Sequence, residues 1–503
     1  MSTKQTTERY LKDIVPFLQL KESWKHTVVT GLAVDSRKIQ QGNCFVAYPG
    51  HHSDGRDFLA SAFQSGARSA LVEAADYSPE QSYETPVVTV PNLKSRLGEI
   101  ASTFYGNPSK QMKLLAITGT NGKTSVSQLV AQALDYLGQA CGVIGTLGNG
   151  MVGELEATAN TTPDIVECNR VLANMLEQGA CCVTMETSSH GLVQGRVDGL
   201  TIYSGLVTNI SRDHLDYHGS MEEYTRAKAL LVAHPGLKHL VLNLDDERVA
   251  VMSNSVMPDC SLWTFSLQNR DDVTVAATQV HYDKDGIRLD VRFGNQVASI
   301  SSTLIGEFNG ANLLAGLTLL LSAGIPLIRA AEAMSLAKPV PGRMQSVPSR
   351  VDQAMVVIDF AHTPDALEKV LLALRHHTGG RIWCVFGCGG NRDAGKRPLM
   401  AEIVAGLADE MVITADNPRS EAFSRIVSDM VKGVPENVAF QIIENRDAAV
   451  THAITNAGAD DLVLIAGKGH EDYQEIAEIK QPYSDLAAAR KALALDADQG
   501  RGA

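Results

Sequence analysis

Six residues constrain this chain more than any others. Gly119-Thr120-Asn121-Gly122-Lys123-Thr124 stands between an apolar run, KLLAIT, and a stretch with helical periodicity, SVSQLVAQALDYLG. A strand, a glycine-bearing turn and a helix in that order make a phosphate cradle. Glycines let backbone N–H groups approach phosphate oxygens, the helix N-terminus adds its dipole, and Lys123 adds a point charge. Thr124 offers a hydroxyl to Mg²⁺. The strict pattern carries a further glycine five places before Gly122, where Ile117 stands, so the loop is a shortened variant.

The rhythm around this loop is that of an α/β protein. Apolar strands recur at CCVTME, YSGLVTNI and HLVLNL with helical stretches between several of them, the signature of a parallel sheet. A second such series carries AMVVIDF, RIWCVFG, EMVIT and DLVLIAG, and the first hundred residues alternate short strands with polar turns. Asn107-Pro108 and the proline pair at Pro339 and Pro341 interrupt the pattern. At 503 residues the chain exceeds one core. Three domains follow, 1–110, 111–345 and 346–503, with a P-loop-type α/β domain in the centre.

A net charge of -13 argues against nucleic acid as a partner. The N-terminal stretch has no apolar signal core, and the apolar run from Leu313 to Ile325 is too short to span a bilayer. Eight scattered cysteines without a CxxC pair read as free thiols in a reducing compartment. A cytoplasmic protein acting on small molecules, without a membrane partner and monomeric, is the expectation.

The motifs TGTNGKTS, NTTPD, METSSHGL, TNISRDHLDYHGSMEEYTRAK, IGEFNGANLLAG, PGRM, DFAHTPDAL, FGCGGNRDAGKRP, DNPRSE and AGKGHEDYQ stand in the order and spacing of the Mur ligases. The resemblance runs from about Val34 to Tyr473. It implies an N-terminal domain for a UDP-sugar substrate, a central ATPase domain and a C-terminal Rossmann-like domain for an incoming amino acid. ATP and Mg²⁺ are the implied cofactors.

Glu186 follows one apolar strand and His214 another, where an α/β sheet presents ligand groups. The resemblance makes Thr124, Glu186, His214 and Lys228 the metal-binding set, with Lys123, Glu186, His214 and Lys228 catalytic. It also implies that Lys228 reacts with CO₂ to form a carbamate, turning a cation that would repel Mg²⁺ into an anion that orients it. That reaction needs an amine held neutral by burial or neighbours; without the resemblance, Lys228 reads as a surface lysine paired with Glu222 or Glu223. ATP contacts are implied for Gly119, Thr120, Asn121, Gly122, Lys123, Thr124, Ser125, Asn309, Asn312, Arg343, Asp359 and His362.

The UDP-substrate is assigned in the same way to Val34, Ser36, His51, His52, Ser53, Asn160, Thr161, Thr162, Ser188, Gln194 and Arg196. Asp416-Asn417-Pro418-Arg419 resembles the signature of members that add meso-2,6-diaminopimelate to a UDP-N-acetylmuramoyl dipeptide, with Arg392, Gly467 and Glu471 completing the pocket. Diaminopimelate differs from lysine by a far carboxylate, which a guanidinium such as that of Arg419 matches bidentately. The implied chemistry is phosphorylation of a D-glutamate carboxylate by ATP, then amine attack through a tetrahedral intermediate, with domain closure as a step. A lysine-adding relative, a folate polyglutamate-type ligase and a P-loop binding protein without catalysis are the alternatives.

Overall fold

A computed structural model describes residues 8–50, 53–78, 83–283, 286–350 and 352–494. His51 and His52, both assigned to the UDP site from sequence, lie outside the described residues. The chain divides into two compact units. One takes the chain through Ser127, Leu134–Thr264 and Ser322–Gly324; the other takes Gln128–Ala133, Phe265–Leu321 and the chain from Ile325 on.

The first unit begins with a four-stranded parallel sheet, ordered Leu32–Ala33, Cys44–Ala47, Ser69–Glu73, Val87–Val90. Its strands are apolar on both sides because both faces are covered. Phe45, Ala47, Ala70 and Val72 pack with Leu59 and Ala62 on one face. Cys44, Val46 and Leu71 join Leu93, Leu97 and Ile100 on the other. The period of two along each strand assigns alternate residues to separate cores.

Five further parallel strands of this unit run in the order Cys141–Gly145, Cys182–Glu186, Lys113–Thr118, Ser204–Val207, His239–Asn243. Lys113–Thr118 is central, and the chain leaves it first to one side and later to the other. Such a reversal opens a crevice at the strands' C-terminal ends, where ligands of open α/β sheets bind. The phosphate loop, Glu186 and Thr208 all emerge there. The sequence reading missed an antiparallel extension, Gly148–Met151 with Glu154–Glu156.

The second unit holds an antiparallel meander, Val275–Asp283, Gly286–Phe293 and Gln296–Ser302, also unread from sequence. A six-stranded sheet follows, ordered Gln345–Val347, Met355–Asp359, Leu462–Ala466, Ile382–Phe386, Glu410–Ile413, Gln441–Ile442, parallel except at its first strand. The strands at 355–359, 382–386, 410–413 and 462–466 end in the motif loops DFAHTPD, FGCGGNRD, DNPRSE and AGKGHED. No helix among the described residues is long and apolar enough to cross a membrane.

Close packing fixes Gly98 in helix Leu93–Phe104. A Cβ there would lie 2.0 Å from the carbonyl oxygen of Asp198 and 2.6 Å from its carbon. Alanine raises helix propensity by about 1 kcal/mol over glycine, but a backbone carbonyl has no rotamer by which to yield. Gly98→Ala is therefore expected to destabilise by about 2 kcal/mol net, within the usual range for overpacking. Thermal melts of the full chain check this, and an unchanged or raised Tm would contradict it.

Candidate functional site

The phosphate loop is shaped by backbone constraint before any ligand is considered. Gly119 has φ 144°, and a Cβ on it would stand 1.9 Å from Thr208 Oγ1. Only glycine leaves the loop open and the strand ends this close. The loop is tied to the next strand's continuation: Thr120 N donates to Asn209 O at 2.8 Å and Asn121 N to Asn209 Oδ1 at 2.9 Å. Thr120 Oγ1 accepts from Ser211 N at 3.0 Å. Lys123 opens helix Lys123–Tyr136, and its Nζ donates to the carbonyls of Gly119 and Thr120, each at 2.8 Å. The cation is thereby held at the mouth of the loop. Ser125 lies half-buried one place beyond Thr124 in the same helix.

Glu186 ends its strand fully buried. Its donors are neutral: Thr124 Oγ1 at 2.8 Å, Thr146 N at 2.9 Å and Thr146 Oγ1 at 3.1 Å. A buried carboxylate facing a hydroxyl at the end of a phosphate loop suits a hard divalent cation that prefers oxygen ligands and keeps waters. Thr146 was missed from sequence. It follows the strand CGVIG as Glu186 follows CCVTM, and that shared position was the available signal.

Lys228 lies on helix Met221–Val232 and is 1% exposed, so the surface-lysine reading fails. Glu223 pairs with Arg226 instead. Lys228 Nζ donates to Gly119 O at 2.7 Å, the carbonyl that Lys123 also uses, and sits 4.4 Å over the Tyr224 ring. Burial, then the nearby Lys123 cation, push the Lys228 amine well below its usual range; Asp213 opposes them weakly.

His214 departs from its expected place. The strand ends at Val207, and His214 stands seven residues on, caps the short helix Leu215–His218 with φ 50°, and is half exposed. Its Nε2 is 3.5 Å from Asp213 Oδ2. The His190 ring meets it edge-on at 4.9 Å and approaches His218 at 5.4 Å, a cluster unread from sequence. Burial, then the two neighbouring imidazoles, hold His190 below its usual range.

Most residues assigned to the sugar-peptide join this crevice. Thr161 Oγ1 is 3.0 Å from Thr146 Oγ1. Thr162 Oγ1 donates to Glu186 O at 2.9 Å and accepts from Ser188 N at 2.9 Å. Arg196 donates to Thr162 O at 2.6 Å and, through Nε and Nη2, to Gln194 Oε1. Asn160 is exposed beside them. Val34 packs half-buried against the core, and Ser36 opens a 3₁₀ turn capped by Asp35. Ser53 O accepts from Gly50 N at 2.9 Å.

In the second unit, Asn309 and Asn312 lie within a helix. The helix starts at Glu307, and both are buried in it, with Asn312 Nδ2 donating to Asn309 Oδ1 at 2.8 Å. Asp359 ends its strand buried and accepts from Met344 N and Ala361 N, each at 2.8 Å. Burial raises its carboxyl above the usual range, against the pull of those N–H groups and Arg343. Among the described residues Arg343 Nε is buried without a hydrogen-bond partner, and its guanidinium lies 5.3 Å over the Phe360 ring. His362 is exposed, its Nδ1 2.8 Å from Phe360 O.

The loops after 386, 413 and 466 form one pocket. Gly390 N donates to Asn417 O at 3.0 Å, and Gln474 Nε2 to Asp416 O at 2.7 Å. Gly467, at φ 118°, passes so close to Asp416 that a Cβ would meet its Oδ2 at 2.6 Å. Arg419 adopts the left-handed region, φ 53°, which an arginine rarely does. Arg419 Nη1 donates to Gly390 O at 2.9 Å, and Nε faces Glu475 Oε2 at 3.3 Å. Among the described residues Nη2 has no hydrogen-bond partner. Asn417 Nδ2 donates to Glu471 Oε2 at 3.0 Å, Pro418 is buried behind it, and Arg392 is exposed. Glu475 and Lys468 were missed from sequence.

Three segments match models of a single family. Residues 28–105 match the Mur ligase family, catalytic domain; 117–320 the Mur ligase middle domain; 342–469 the Mur ligase, glutamate ligase domain. The chain is 45% identical over 467 residues to the UDP-N-acetylmuramoyl-L-alanyl-D-glutamate–2,6-diaminopimelate ligase of Pseudomonas aeruginosa, covering 93% of this chain and 95% of that one. The ligase of that name from Coxiella burnetii is 44% identical over 469 residues, covering 93% and 96%. A solved structure of a ligase of the same name superposes with TM-score 0.76 at 34% identity, over 97% of this chain and 99% of that one.

Lys228 makes stability depend on pH. Between its lowered folded value and the ordinary 10.5, the unfolded chain binds a proton that the folded chain excludes, so stability falls as pH falls through that window. In CO₂-free buffer, Lys228→Met should raise Tm relative to the parent near pH 8, by a margin that shrinks towards pH 10. A margin constant across that range would refute the buried neutral amine.

Proposed function

The chain belongs to the Mur ligase family and has its three-domain α/β architecture, and from that premise we propose that it adds meso-2,6-diaminopimelate to UDP-N-acetylmuramoyl-L-alanyl-D-glutamate with ATP, releasing ADP and phosphate. Relatives of that name at 44–45% identity across most of the chain support the reading. We divide the work among residues 1–110 for the UDP-sugar, 111–345 for ATP and 346–503 for the amino acid. The cytoplasm, where these soluble precursors are made, is the proposed compartment.

A carboxylate is a poor acyl donor, and phosphorylation gives it a leaving group. Gly119, Gly122 and the start of the following helix would cradle the triphosphate, with Lys123 drawing charge from the transferring phosphoryl. Thr124, Glu186, His214 and the carbamate of Lys228 would hold Mg²⁺, which when bound screens the phosphate and substrate carboxylate from each other. The neutral, buried amine of Lys228 is the nucleophile that would attack CO₂, forming the N–C bond and releasing a proton to leave the carbamate. Asn309, Asn312, Arg343, Asp359 and His362 are assigned to the nucleotide. Thr161, Thr162, Ser188, Gln194 and Arg196 are assigned to the sugar-peptide, joined by Val34, Ser36, Ser53 and Asn160.

One observation carries the choice of amino acid. Arg419, whose Nη2 has no hydrogen-bond partner among the described residues, and the carboxylate of Glu471 stand on loops joined through Gly390 and Asn417. A guanidinium edge and a carboxylate oxygen together fit a centre bearing both carboxylate and ammonium. Diaminopimelate has such a centre at its far end; lysine has only the ammonium. The diamino acid's other amine then attacks the acyl phosphate, and phosphate leaves from the tetrahedral intermediate.

Phosphate release with ATP and the UDP-dipeptide should require diaminopimelate and be far weaker with lysine. Arg419→Ala should lower kcat/KM for diaminopimelate about 10–100-fold, the size of a lost charge-assisted pair, and leave the lysine rate nearly unchanged. Equal wild-type turnover of the two amino acids would sink the assignment.

A further inference from the structure

Lys468 is fully buried, yet it carries a charge and no phosphate loop or metal set claims it. Its Nζ donates to Glu471 Oε2 at 2.9 Å and Asn417 Oδ1 at 3.0 Å, and lies 5.5 Å over the Tyr473 ring. A buried ammonium is tolerated only when paired and hydrogen-bonded. Here its partners are two side chains of the amino-acid pocket.

Two consequences follow for Glu471. Oε2 is occupied twice, by Lys468 and by Asn417 Nδ2, which fixes the carboxylate's rotation. Oε1 has no hydrogen-bond partner among the described residues, and the side chain is 22% exposed, so one oxygen is left to accept from a ligand. The charge of Glu471 is meanwhile matched by Lys468, as that of Glu475 is matched by Arg419. The pocket therefore neutralises itself before any ligand arrives. A bare ammonium entering it gains one hydrogen bond but little net attraction, and it meets two cations. A zwitterionic centre gains at both ends.

From this geometry we infer that Lys468 is a positioning and specificity residue. It fixes Glu471 and Asn417 and neutralises Glu471, so that the pocket takes a centre bearing both ammonium and carboxylate and rejects one bearing ammonium alone. The inference rests on the amino-acid assignment above. It adds a residue that acts through Glu471 without touching the reacting atoms.

Steady-state kinetics on the full-length enzyme, with diaminopimelate and with lysine, test it. The expected result for Lys468→Met is a rise in KM for diaminopimelate of about tenfold, equivalent to one lost positioning contact, with kcat within about threefold. Its relative use of lysine should increase, because an unmatched Glu471 attracts a bare ammonium. The double variant K468M/E471Q leaves no unpaired carboxylate, so it folds even if the single variant does not. It should keep the raised KM and lose the gain toward lysine. A wild-type KM in either folded variant, or an unchanged lysine ratio in K468M, would overturn the inference. Failure of the unmutated enzyme to use diaminopimelate would overturn the assignment and the inference together, which separates the two cases.

Discussion

Parallel strands covered on both faces leave polar chemistry only one exit, the C-terminal edge of the sheet. Each motif of consequence obeys that constraint. Thr118 runs into the phosphate loop, Met185 into Glu186, and Ile144 and Gly145 into Thr146, all around the central strand. In the second unit Asp359, the loop after Phe386, the loop after Ile413 and Gly467 emerge along the corresponding edge. The strands are apolar and interchangeable in kind. The residues just beyond them are not.

Charge at these edges is arranged by proximity more than by number. Two lysines share the carbonyl of Gly119, and their mutual repulsion in a buried place is relieved when one amine is neutral. That amine is the one the family resemblance assigns to carbamate formation, and the surroundings keep it in the reactive form. Glu186, buried with only neutral donors, leaves a negative charge for a cation to answer. The pocket proposed for the amino acid does the reverse: Arg419 is matched by Glu475 and Lys468 by Glu471. An unbalanced site suits a metal and phosphates, and a balanced one suits a zwitterion.

Much of the fold could be read from the sequence because α/β units are local. Lys113–Thr118 and the helix from Lys123 differ in period and length, and glycines mark the turn between them. The antiparallel strands at 148–156 escaped notice because their residues are mostly polar or small, whereas Gly286–Phe293 carries a clear alternation, Ile287, Leu289, Val291 and Phe293 between Arg288, Asp290 and Arg292, that went unread. For the site, motif residues fell where α/β logic put them, apart from His214, whose loop runs seven residues past its strand. Thr146 was unread although its place after the strand CGVIG offered a signal, and Lys468 and Glu475 were unread although Lys468 stands inside the motif AGKGHEDYQ, because a motif does not say which charges fold against which. Their importance comes from contacts with Glu186, Glu471 and Arg419, distant or oriented in ways that spacing does not encode.

By itself the sequence determined the kind of fold, the glycine-bearing loop between strand and helix, and the family resemblance, since these depend on residue identity and short spacing. Tertiary structure alone decided which charges are buried and which are paired. Lys228 and Lys468 look alike in sequence, yet one is pressed toward neutrality beside another lysine and the other is matched by a carboxylate. The reason is that desolvation and Coulomb energy depend on the distance and burial of groups brought together by folding, quantities absent from a linear chain.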